Sequence, residues 1–293
     1  ETSPGPAAIE QLCGAAPEAP RAHVVLSANV FTASLRAIAL ALASSERVFV
    51  RPSRREPIMA ELLHAACGGQ FEIASALDPA PGDHVWAYGA DETLAAIAAS
   101  LPRGVVYYAH GFGYGAALLD SAACRDAEIA QQLALDVALF DQRGCLSPRF
   151  AVVHAPLDAT LAFARSLAAA LDDWRERLPL GHLDAAEREA SVRFHETMTY
   201  AGECCLGSNA GSVAVLREPE RFPLPPVGRN LLLLSTNDWR APLVANAAQL
   251  TQLGIAGSFA ALPAHVRIAA LGHMQRPPFD GPVDRRTRAR VLS

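Results

Sequence analysis

Near its start the chain alternates short apolar runs with a longer helical run, and few folds allow this alternation. The run HVVLSAN begins at His23, the run SLRAIALALAS begins at Ser34, and the run RVFVR stops at Pro52. The first and third have the length and composition of strands, whereas the second has the length and apolar content of a packed helix. Parallel strands need a long crossover between them, so this order predicts a βαβ unit and a parallel sheet.

The same alternation continues downstream. The run HVWAY, from His84, is followed by Gly89 and by a helical run whose first turn carries Asp91 and Glu92. A further strand-like run ends at His110, and the glycine-rich turn GFGYG follows it. Turn residues thus gather at the carboxyl ends of predicted strands, where open α/β sheets bind ligands. We therefore predict an α/β protein made of wound sheets.

Composition and charge exclude several classes of function. The 293 residues are 51% hydrophobic and 19% charged, as in a protein with a substantial core. The formal net charge of −5 gives no reason to expect a nucleic-acid partner. The basic end RRTRARVLS is predicted to be a solvated tail. No apolar run reaches the roughly 20 residues of a membrane-spanning helix, so we expect no membrane span.

The six cysteines lack the spacing of a disulfide framework or of a zinc site. They indicate thiols of a reducing compartment, and we expect a cytoplasmic protein. The stretch from His195 to Cys205 contains His, Glu and Cys. We interpret it as a helix that runs into a buried segment, and we predict no metal site there.

Cys145 is the candidate nucleophile. It lies in the segment 139–154, LFDQRGCLSPRFAVVH, between an apolar run and a strand-like run, and the turn residues around it place it on an exposed bend. The charges of Arg143 and Arg149, together with nearby backbone amides, are expected to favour its thiolate. The alternative is that Cys145 is a small buried hydrophobic residue, as most lone cysteines are.

Two further side chains are candidates for the same chemistry. Asn29 can donate a hydrogen bond to the oxygen of an attacked carbonyl, or it can be the N-cap of the helix that follows. His110 is the only imidazole in a strand-end turn, which makes it the candidate acid or base; alternatively it only bonds the backbone of that turn. The glycines of 111–115 do not match G-x-G-x-x-G, so they are weak evidence of phosphate binding.

The domain organisation is predicted from the same pattern. We expect a loose N-terminal arm over residues 1–20 and a Rossmann-like cofactor lobe over 21–130. A catalytic lobe with the nucleophilic cysteine is expected over 131–270, followed by a C-terminal segment over 271–293. The linker between the lobes is predicted near Ala127 to Asp136.

The order of several short motifs resembles the aldehyde dehydrogenase superfamily, and within it the fatty acyl-CoA reductase family that includes the bioluminescence reductase. The motifs are SAN, VFVRPSRREP, YGADETLAAI, AHGFG and DQRGCLSPR, followed by GHMQRPPFDG near the C-terminus. The resemblance runs from about Val24 to Asp280, and its most specific parts are the G-x-DET helix start and the CLSP around the cysteine. It implies an aldehyde dehydrogenase-like fold of two wound α/β lobes.

The resemblance also implies roles for individual residues. Cys145 matches the thiol that holds the thioester, and Asn29 matches the asparagine that forms the oxyanion hole with the backbone N–H at the cysteine. The stretch Arg51, Pro52 and Ser53 matches the strand end that lies along the adenosine ribose, where an arginine suits a 2′-phosphate. The turn of Gly89 with Asp91, Glu92 and Thr93 matches the turn that faces the dinucleotide phosphates. Together these residues imply NADPH as the cofactor, with NADH as the other possibility.

Two departures from the family pattern leave alternatives open. His110 and Gly111 stand where oxidising members carry an E-L-G-G glutamate, a change expected of enzymes whose acyl partner is CoA. Members have well over a hundred residues before the asparagine, whereas 28 precede Asn29 here. We therefore expect either a trimmed chain or a reduced relative with an incomplete cofactor site, in a homo-oligomer or in association with another subunit.

The expected activity is reduction of a fatty acyl-CoA, or a related activated acyl group, to an aldehyde through a cysteine thioester. The first alternative is a degenerate, non-catalytic member that serves as a binding or assembly partner. The second is a reductase of acyl phosphates.

Overall fold

The computed structural model describes residues 5–208, 211–287 and 289–293, and it divides into two compact units. Unit 1 consists of the described residues up to Phe112 together with Pro278–Ser293. Unit 2 is the continuous stretch Gly113–Pro277. Each unit is an open, mostly parallel sheet with helices on both faces, which confirms the predicted α/β fold.

The elements before Phe112 are strands β1 to β5 and helices α1 to α4. In chain order they are α1 Pro6–Ala15, β1 Ala22–Val25, α2 Ala33–Ser44, β2 Val48–Arg51, α3 Ile58–Ala66, β3 Glu72–Ile73, β4 His84–Tyr88, α4 Asp91–Ser100 and β5 Val106–His110.

The elements after Phe112 continue the same numbering. They are β6 Tyr114–Asp120, α5 Ala127–Ala138, β7 Pro148–His154, α6 Leu157–Arg177, α7 Ala185–Ala201, β8 Cys204–Ser208, β9 Gly211–Arg217, β10 Leu231–Ser235, α8 Arg240–Ala245, β11 Leu250–Ala256, β12 Arg267–Ala270 and β13 Arg290–Val291; two 3₁₀ turns span Ala123–Arg125 and Leu139–Gln142.

The sheet of unit 1 has the strand order β13-β5-β4-β1-β2-β3. Strands β1 to β5 are parallel, and β13 pairs antiparallel with β5. The chain winds outward from β1 through β2 to β3, then returns to β4 on the other side of β1. This is the Rossmann order, and the reversal between β1 and β4 is where such sheets bind ligands.

The central strands of unit 1 are buried on both faces. On one face Val24, Val50 and Trp86 pack with helix residues of α1, α2 and α3. On the other face Val85 and Tyr107 pack with α4. Parallel strands covered by helices on both sides must be apolar throughout, which is why the short runs around β1 and β4 could be recognised in the sequence.

The sheet of unit 2 has the order β12-β11-β6-β7-β10-β9-β8, parallel except for β8. The run of four leucines in β10 shows how its core is built. Leu231 and Leu233 face helices α5 and α6, whereas Leu232 and Leu234 face α7 and α8. Alternate residues of a strand point to opposite faces, so one uniform run supplies both halves of the core.

Among the described residues, no helix is long and apolar enough to cross a bilayer.

The predicted linker at Ala127 to Asp136 is wrong. These residues form most of α5, whose Leu133 and Val137 are fully buried in the core of unit 2. The chain leaves unit 1 at Phe112 instead, so the predicted boundary at 130 lies inside unit 2. The prediction failed because the position of a lobe boundary has no local sequence signal here, whereas the apolar stripe of α5 buries this helix in unit 2.

The terminal segments are also more ordered than predicted. Residues 1–4 lie outside the described part, but α1 occupies half of the expected loose arm and buries Leu12 in the core of unit 1. The basic end, which includes Arg288 outside the described part, is not simply a solvated tail. Strand β13 pairs with β5, and the Leu292 N–H donates to Val105 O at 3.0 Å. The expected C-terminal segment 271–293 is itself divided, because residues up to Pro277 belong to unit 2.

A buried carboxylate fixes the last part of unit 2. Asp136 on α5 is fully buried and accepts backbone N–H groups from Gly272, at 2.6 Å, and from Met274, at 3.0 Å. Burial raises the pKa of Asp136 to about 7, against the opposing effect of these hydrogen bonds and of the Arg276 charge. Folding therefore favours the protonated form of the Asp136 carboxyl group.

Asp136 is expected to make stability fall as pH rises. Its pKa is higher in the folded than in the unfolded chain, so its favourable contribution is present below about pH 4 and is lost as pH rises through 7. Between pH 5 and pH 8 the free energy of unfolding should fall by about 2 kcal/mol more in the wild type than in Asp136→Asn. Urea unfolding at both pH values measures this. Glu128→Gln, an exposed change on the same helix, should behave as the wild type; equal pH dependence in all three proteins would contradict the assignment.

Candidate functional site

The sequence-predicted residues of unit 1 come together at one edge of its sheet. The strands β1, β2, β4 and β5 are parallel neighbours, so their carboxyl ends lie side by side. Asn29 follows β1, Arg51 ends β2, Gly89 follows β4 and His110 ends β5. This edge includes the β1–β4 reversal, the expected position of a ligand in such a sheet.

Asn29 lies exposed in the loop between β1 and α2. The N-cap position of α2 is occupied by Thr32, so the alternative role of Asn29 as N-cap is wrong. The side-chain amide is a neutral donor at the carboxyl edge of the sheet. Its proposed oxyanion role stays a prediction.

The residues predicted to bind the adenosine end of a dinucleotide lie at the end of β2. Arg51 is exposed, and Pro52 and Ser53 are partly buried in the turn that follows. The Ser53 hydroxyl accepts the Arg55 N–H at 3.3 Å, which holds this turn. An exposed guanidinium beside the strand reversal has the chemistry to bind a phosphate ester.

The start of α4 is the predicted phosphate turn. Gly89 donates its N–H to His110 O at 3.2 Å, which ties the turn to β5. Asp91, Glu92 and Thr93 are exposed in the first helical turn. The two carboxylates suit the helix dipole, although they also oppose a phosphate there. Asp91 has an observed partner, because its Oδ1 accepts the Phe112 N–H at 3.1 Å.

His110 is the most deeply buried of these residues, with 8% of its surface exposed. It is the last residue of β5, and its ring stacks on Tyr88 with centroids 4.3 Å apart and planes 5° from parallel. Neither ring nitrogen has a hydrogen-bond partner among the described residues. Burial lowers the pKa of His110 to about 4; Asp284 acts against this and Arg286 acts with it. The imidazole is therefore neutral at physiological pH, the form that can accept a proton.

Cys145 belongs to unit 2 and lies just before β7, at the amino end of its strand. The Ser147 N–H donates to Gly144 O at 3.1 Å, so Cys145 and Leu146 are the central residues of a four-residue turn. The cysteine is partly exposed, which agrees with the predicted bend. Its carbonyl oxygen accepts the Thr251 hydroxyl, and that hydroxyl also donates to Tyr114 O at 3.1 Å.

The backbone that leads into this turn is strained and well held. Phe140, Asp141 and Gln142 have φ values of 56°, 48° and 62°, the left-handed region that side chains disfavour. The buried Gln142 amide donates to Pro148 O and Asn230 O and accepts from Asn230 N, each at 2.8 Å. Asp141 pairs at 2.8 Å with Arg229, which is itself almost fully buried. Local sequence patterns carry no signal for this support, because its two halves lie 88 positions apart.

The two arginines expected to favour the Cys145 thiolate have other partners. Arg143 forms a two-point ion pair with Glu187, at 2.5 and 2.9 Å, so its charge is compensated. Arg149 is buried and donates to Pro225 O, and burial lowers its pKa to about 10. The explanation of Cys145 reactivity by these two charges is therefore not supported.

Burial disfavours the thiolate form of the other cysteines of unit 2. Burial raises the pKa of Cys124 to about 11 and raises the pKa of Cys204 and Cys205. Cys205 Sγ lies 3.5 Å from His195 Nδ1, and α7 does run into the strand of these cysteines as expected. In the described part of the chain, no three His, Cys, Asp or Glu side chains are grouped to hold a metal ion.

Comparison with known proteins finds the same fold and a family model that matches part of the chain. Residues 68–203 match the family described as acyl-CoA reductase (LuxC), which confirms the resemblance found in the sequence. No curated protein matches the chain at a significant level.

Solved structures of aldehyde dehydrogenases resemble the chain in fold. A γ-glutamyl-γ-aminobutyraldehyde dehydrogenase from Burkholderia cenocepacia J2315 has a TM-score of 0.64 and 16% identity, covering 83% of this chain and 57% of that one. Lactaldehyde dehydrogenase from Escherichia coli has a TM-score of 0.60 and 16% identity, covering 83% and 59%. Aldehyde dehydrogenase 21 from Physcomitrella patens has a TM-score of 0.66 and 14% identity, covering 94% and 69%. The chain thus spans less than two thirds of the length of the first two proteins.

Gly115 is expected to be needed for the Cys145 turn. An added Cβ would overlap Leu146 O and would lie 2.9 Å from Met274 Cε. Gly115→Ala should therefore lower the free energy of unfolding by about 1–3 kcal/mol and slow alkylation of Cys145 by iodoacetamide. Gly14→Ala is the control, because its Cβ meets nothing within 4 Å and alanine favours the helix. Equal stability and equal alkylation in both variants would contradict this account of the turn.

Proposed function

Because residues 68–203 match the acyl-CoA reductase (LuxC) family within an aldehyde dehydrogenase fold, we propose that this chain reduces fatty acyl-CoA to aldehyde with NADPH. The reaction proceeds through a thioester on Cys145. The observation that carries the proposal is the Cys145 turn: a partly exposed thiol lies on a turn held by buried hydrogen bonds from both sides. Burial raises the pKa of Cys124 and of Cys205 in the same unit, which favours Cys145 as the nucleophile among these thiols.

The acylation step follows from thiol chemistry. The Cys145 thiolate forms a bond to the acyl carbonyl carbon, the bond from that carbon to the CoA sulfur breaks, and CoA leaves as a thiolate that takes a proton. Thiolates are good nucleophiles and good leaving groups, so this exchange needs little more than correct placement. The carbonyl oxygen becomes negative on the way, and a well-placed amide donor, the role predicted for Asn29, is worth about 3 kcal/mol in such chemistry.

The carboxyl edge of unit 1 fits a nicotinamide dinucleotide. It combines the exposed Arg51 cation, the strand reversal and the start of α4, where backbone N–H groups attract phosphates. Arg51 would pair with the 2′-phosphate, Pro52 and Ser53 would lie along the ribose, and Gly89 with Thr93 would face the phosphates beside Asp91 and Glu92. When bound, the cofactor supplies the hydride that converts the acyl group to the aldehyde oxidation level.

His110 is proposed to move the proton in this reaction. Its imidazole is neutral at physiological pH because burial lowers its pKa to about 4, so it begins as a base. As a neutral base it can take up a proton during acylation and release it when the aldehyde leaves. To act first as an acid, the imidazole would have to be protonated at the start, and its lowered pKa leaves it neutral at physiological pH.

Acylation of Cys145 can be seen without the cofactor. Mixing the protein with a fatty acyl-CoA in the absence of NADPH should add the mass of one acyl group, and Cys145→Ser should abolish the addition because no thiolate remains at the turn. Intact-mass spectrometry measures this, and Cys205→Ser is the matched control that should acylate as the wild type does. An acyl phosphate tested in parallel separates the two donor classes. Acyl label mapped to Cys204 or Cys205 would overturn the assignment.

Arg51 is expected to separate the two nicotinamide cofactors. Arg51→Ala should weaken NADPH binding about 10- to 100-fold, because a charge-assisted bond to phosphate is worth about 1.5–3 kcal/mol, and should leave NADH binding within about twofold. Calorimetric titration with each cofactor measures the dissociation constants. Arg54→Ala, an exposed arginine on the same turn, is the control. Equal loss of affinity for both cofactors in Arg51→Ala would mean that the arginine is structural.

A further inference from the structure

The backbone on both sides of His110 is held by residues near the end of the chain. The Thr287 hydroxyl donates to Ala109 O at 3.1 Å. The Arg286 guanidinium donates from both terminal nitrogens to Phe112 O, at 3.2 Å each. These contacts join positions 174 and 178 residues apart along the chain. Together with the Asp91 contact to the Phe112 N–H, they hold the turn that carries His110.

Asp284 organises these contacts. Its carboxylate accepts Arg286 Nε at 2.9 Å and Nη2 at 2.8 Å, and it also accepts the Arg286 backbone N–H at 2.9 Å. The Thr287 hydroxyl lies 3.4 Å from its second oxygen. Asp284 is 7% exposed, so this two-point ion pair is well shielded from water. A buried, two-point arginine–carboxylate pair has a fixed geometry, unlike an ordinary surface pair.

The imidazole carried by this turn has no hydrogen-bond partner among the described residues. Its two ring nitrogens are buried without a hydrogen bond to any described residue, and leaving such groups unsatisfied costs about 1–3 kcal/mol. Tyr88 stacks on the face of the ring. A group kept in this state is suited to act on a bound molecule.

We propose that Asp284, Arg286 and Thr287 are positioning residues for His110 and make the C-terminal segment part of the proton-handling machinery. The proposal rests on the acid–base role of His110 in the proposed function. Thr287 and Arg286 fix the direction of the imidazole through the carbonyl groups of Ala109 and Phe112. Asp284 and Arg286 also face the ring with opposite charges.

The opposite charges of Asp284 and Arg286 predict opposite shifts in the pKa of His110 when each charge is removed. Asp284 raises the pKa of His110 and Arg286 lowers it, while burial has the largest effect. The other groups near the ring are Tyr88, stacked on it, and Asp91, which contacts the turn at Phe112. Removing the arginine charge should therefore raise the pKa of His110, and removing the aspartate charge should lower it further. Simple loosening of the fold would instead expose the ring and raise the pKa in both cases.

Histidine NMR titration of the full chain tests this directly. The His110 signal is assigned by its loss in His110→Gln. Arg286→Met should move its titration upward by about one pH unit, whereas Asp284→Asn should keep the ring neutral down to the lowest pH at which the protein stays folded. Arg285→Met, which removes a neighbouring arginine paired with Asp280, should titrate as the wild type. An upward shift in Asp284→Asn, or no shift in Arg286→Met, would overturn the proposal.

Steady-state kinetics separates this proposal from the proposed function. Thr287→Val removes a hydrogen bond without changing charge, and it should lower kcat at least about tenfold while leaving the KM for acyl-CoA near the wild-type value. Its Ser variant, Thr287→Ser, keeps the hydroxyl and should restore kcat. If His110→Ala keeps full turnover, the acid–base role of His110 fails. If His110→Ala is inactive while Thr287→Val matches the wild type, only the positioning role fails.

Discussion

The position of the Cys145 thiol depends on a short stretch of backbone in an unfavourable conformation. Three successive side-chain-bearing residues, Phe140 to Gln142, have left-handed φ values, and each such residue costs on the order of 1–3 kcal/mol. The buried hydrogen bonds of Gln142 and the ion pair of Asp141 with Arg229 offset this cost. Because these partners come from the turn before β10, the thiol is positioned by the packing of two adjacent strands and not by its own segment.

The two units present their candidate residues at opposite kinds of edge. In unit 1, Asn29, Arg51 and His110 lie at or just after the carboxyl ends of parallel strands, as the general rule for open sheets expects. In unit 2, Cys145 lies before β7, at the amino end of its strand. At the carboxyl edge of unit 1, the turns that lead from strands into helices offer backbone N–H groups that can bind anions. A thiol that becomes acylated does not need an anion-binding turn, but the turn that carries it must be rigid.

Much of the fold could be predicted because its strands are short, apolar and followed by clear turn residues. The β1–α2–β2 unit and the helix that starts at Asp91 depend on local patterns, and the structure confirms them. The linker near Ala127 and the tail after Asp284 were misjudged, because both are decided by packing against distant residues. The same limit applies to the candidate site. Cys145 and His110 could be selected by residue type and place, whereas Arg229 and Arg286 became visible only through contacts that span much of the chain.

The order of the chain has a consequence for how unit 1 is completed. Its sheet begins with β1, yet the edge of β5 is paired only when β13 arrives, after the whole of unit 2. Unit 2 is continuous in sequence, so its contacts can form without waiting for a distant segment. Until β13 pairs, β5 presents an open edge, and the His110 turn lacks the Arg286 and Thr287 contacts. The contacts that hold the turn of His110 therefore come from the segment directly before β13, so this turn and the paired edge of β5 depend on the same part of the chain.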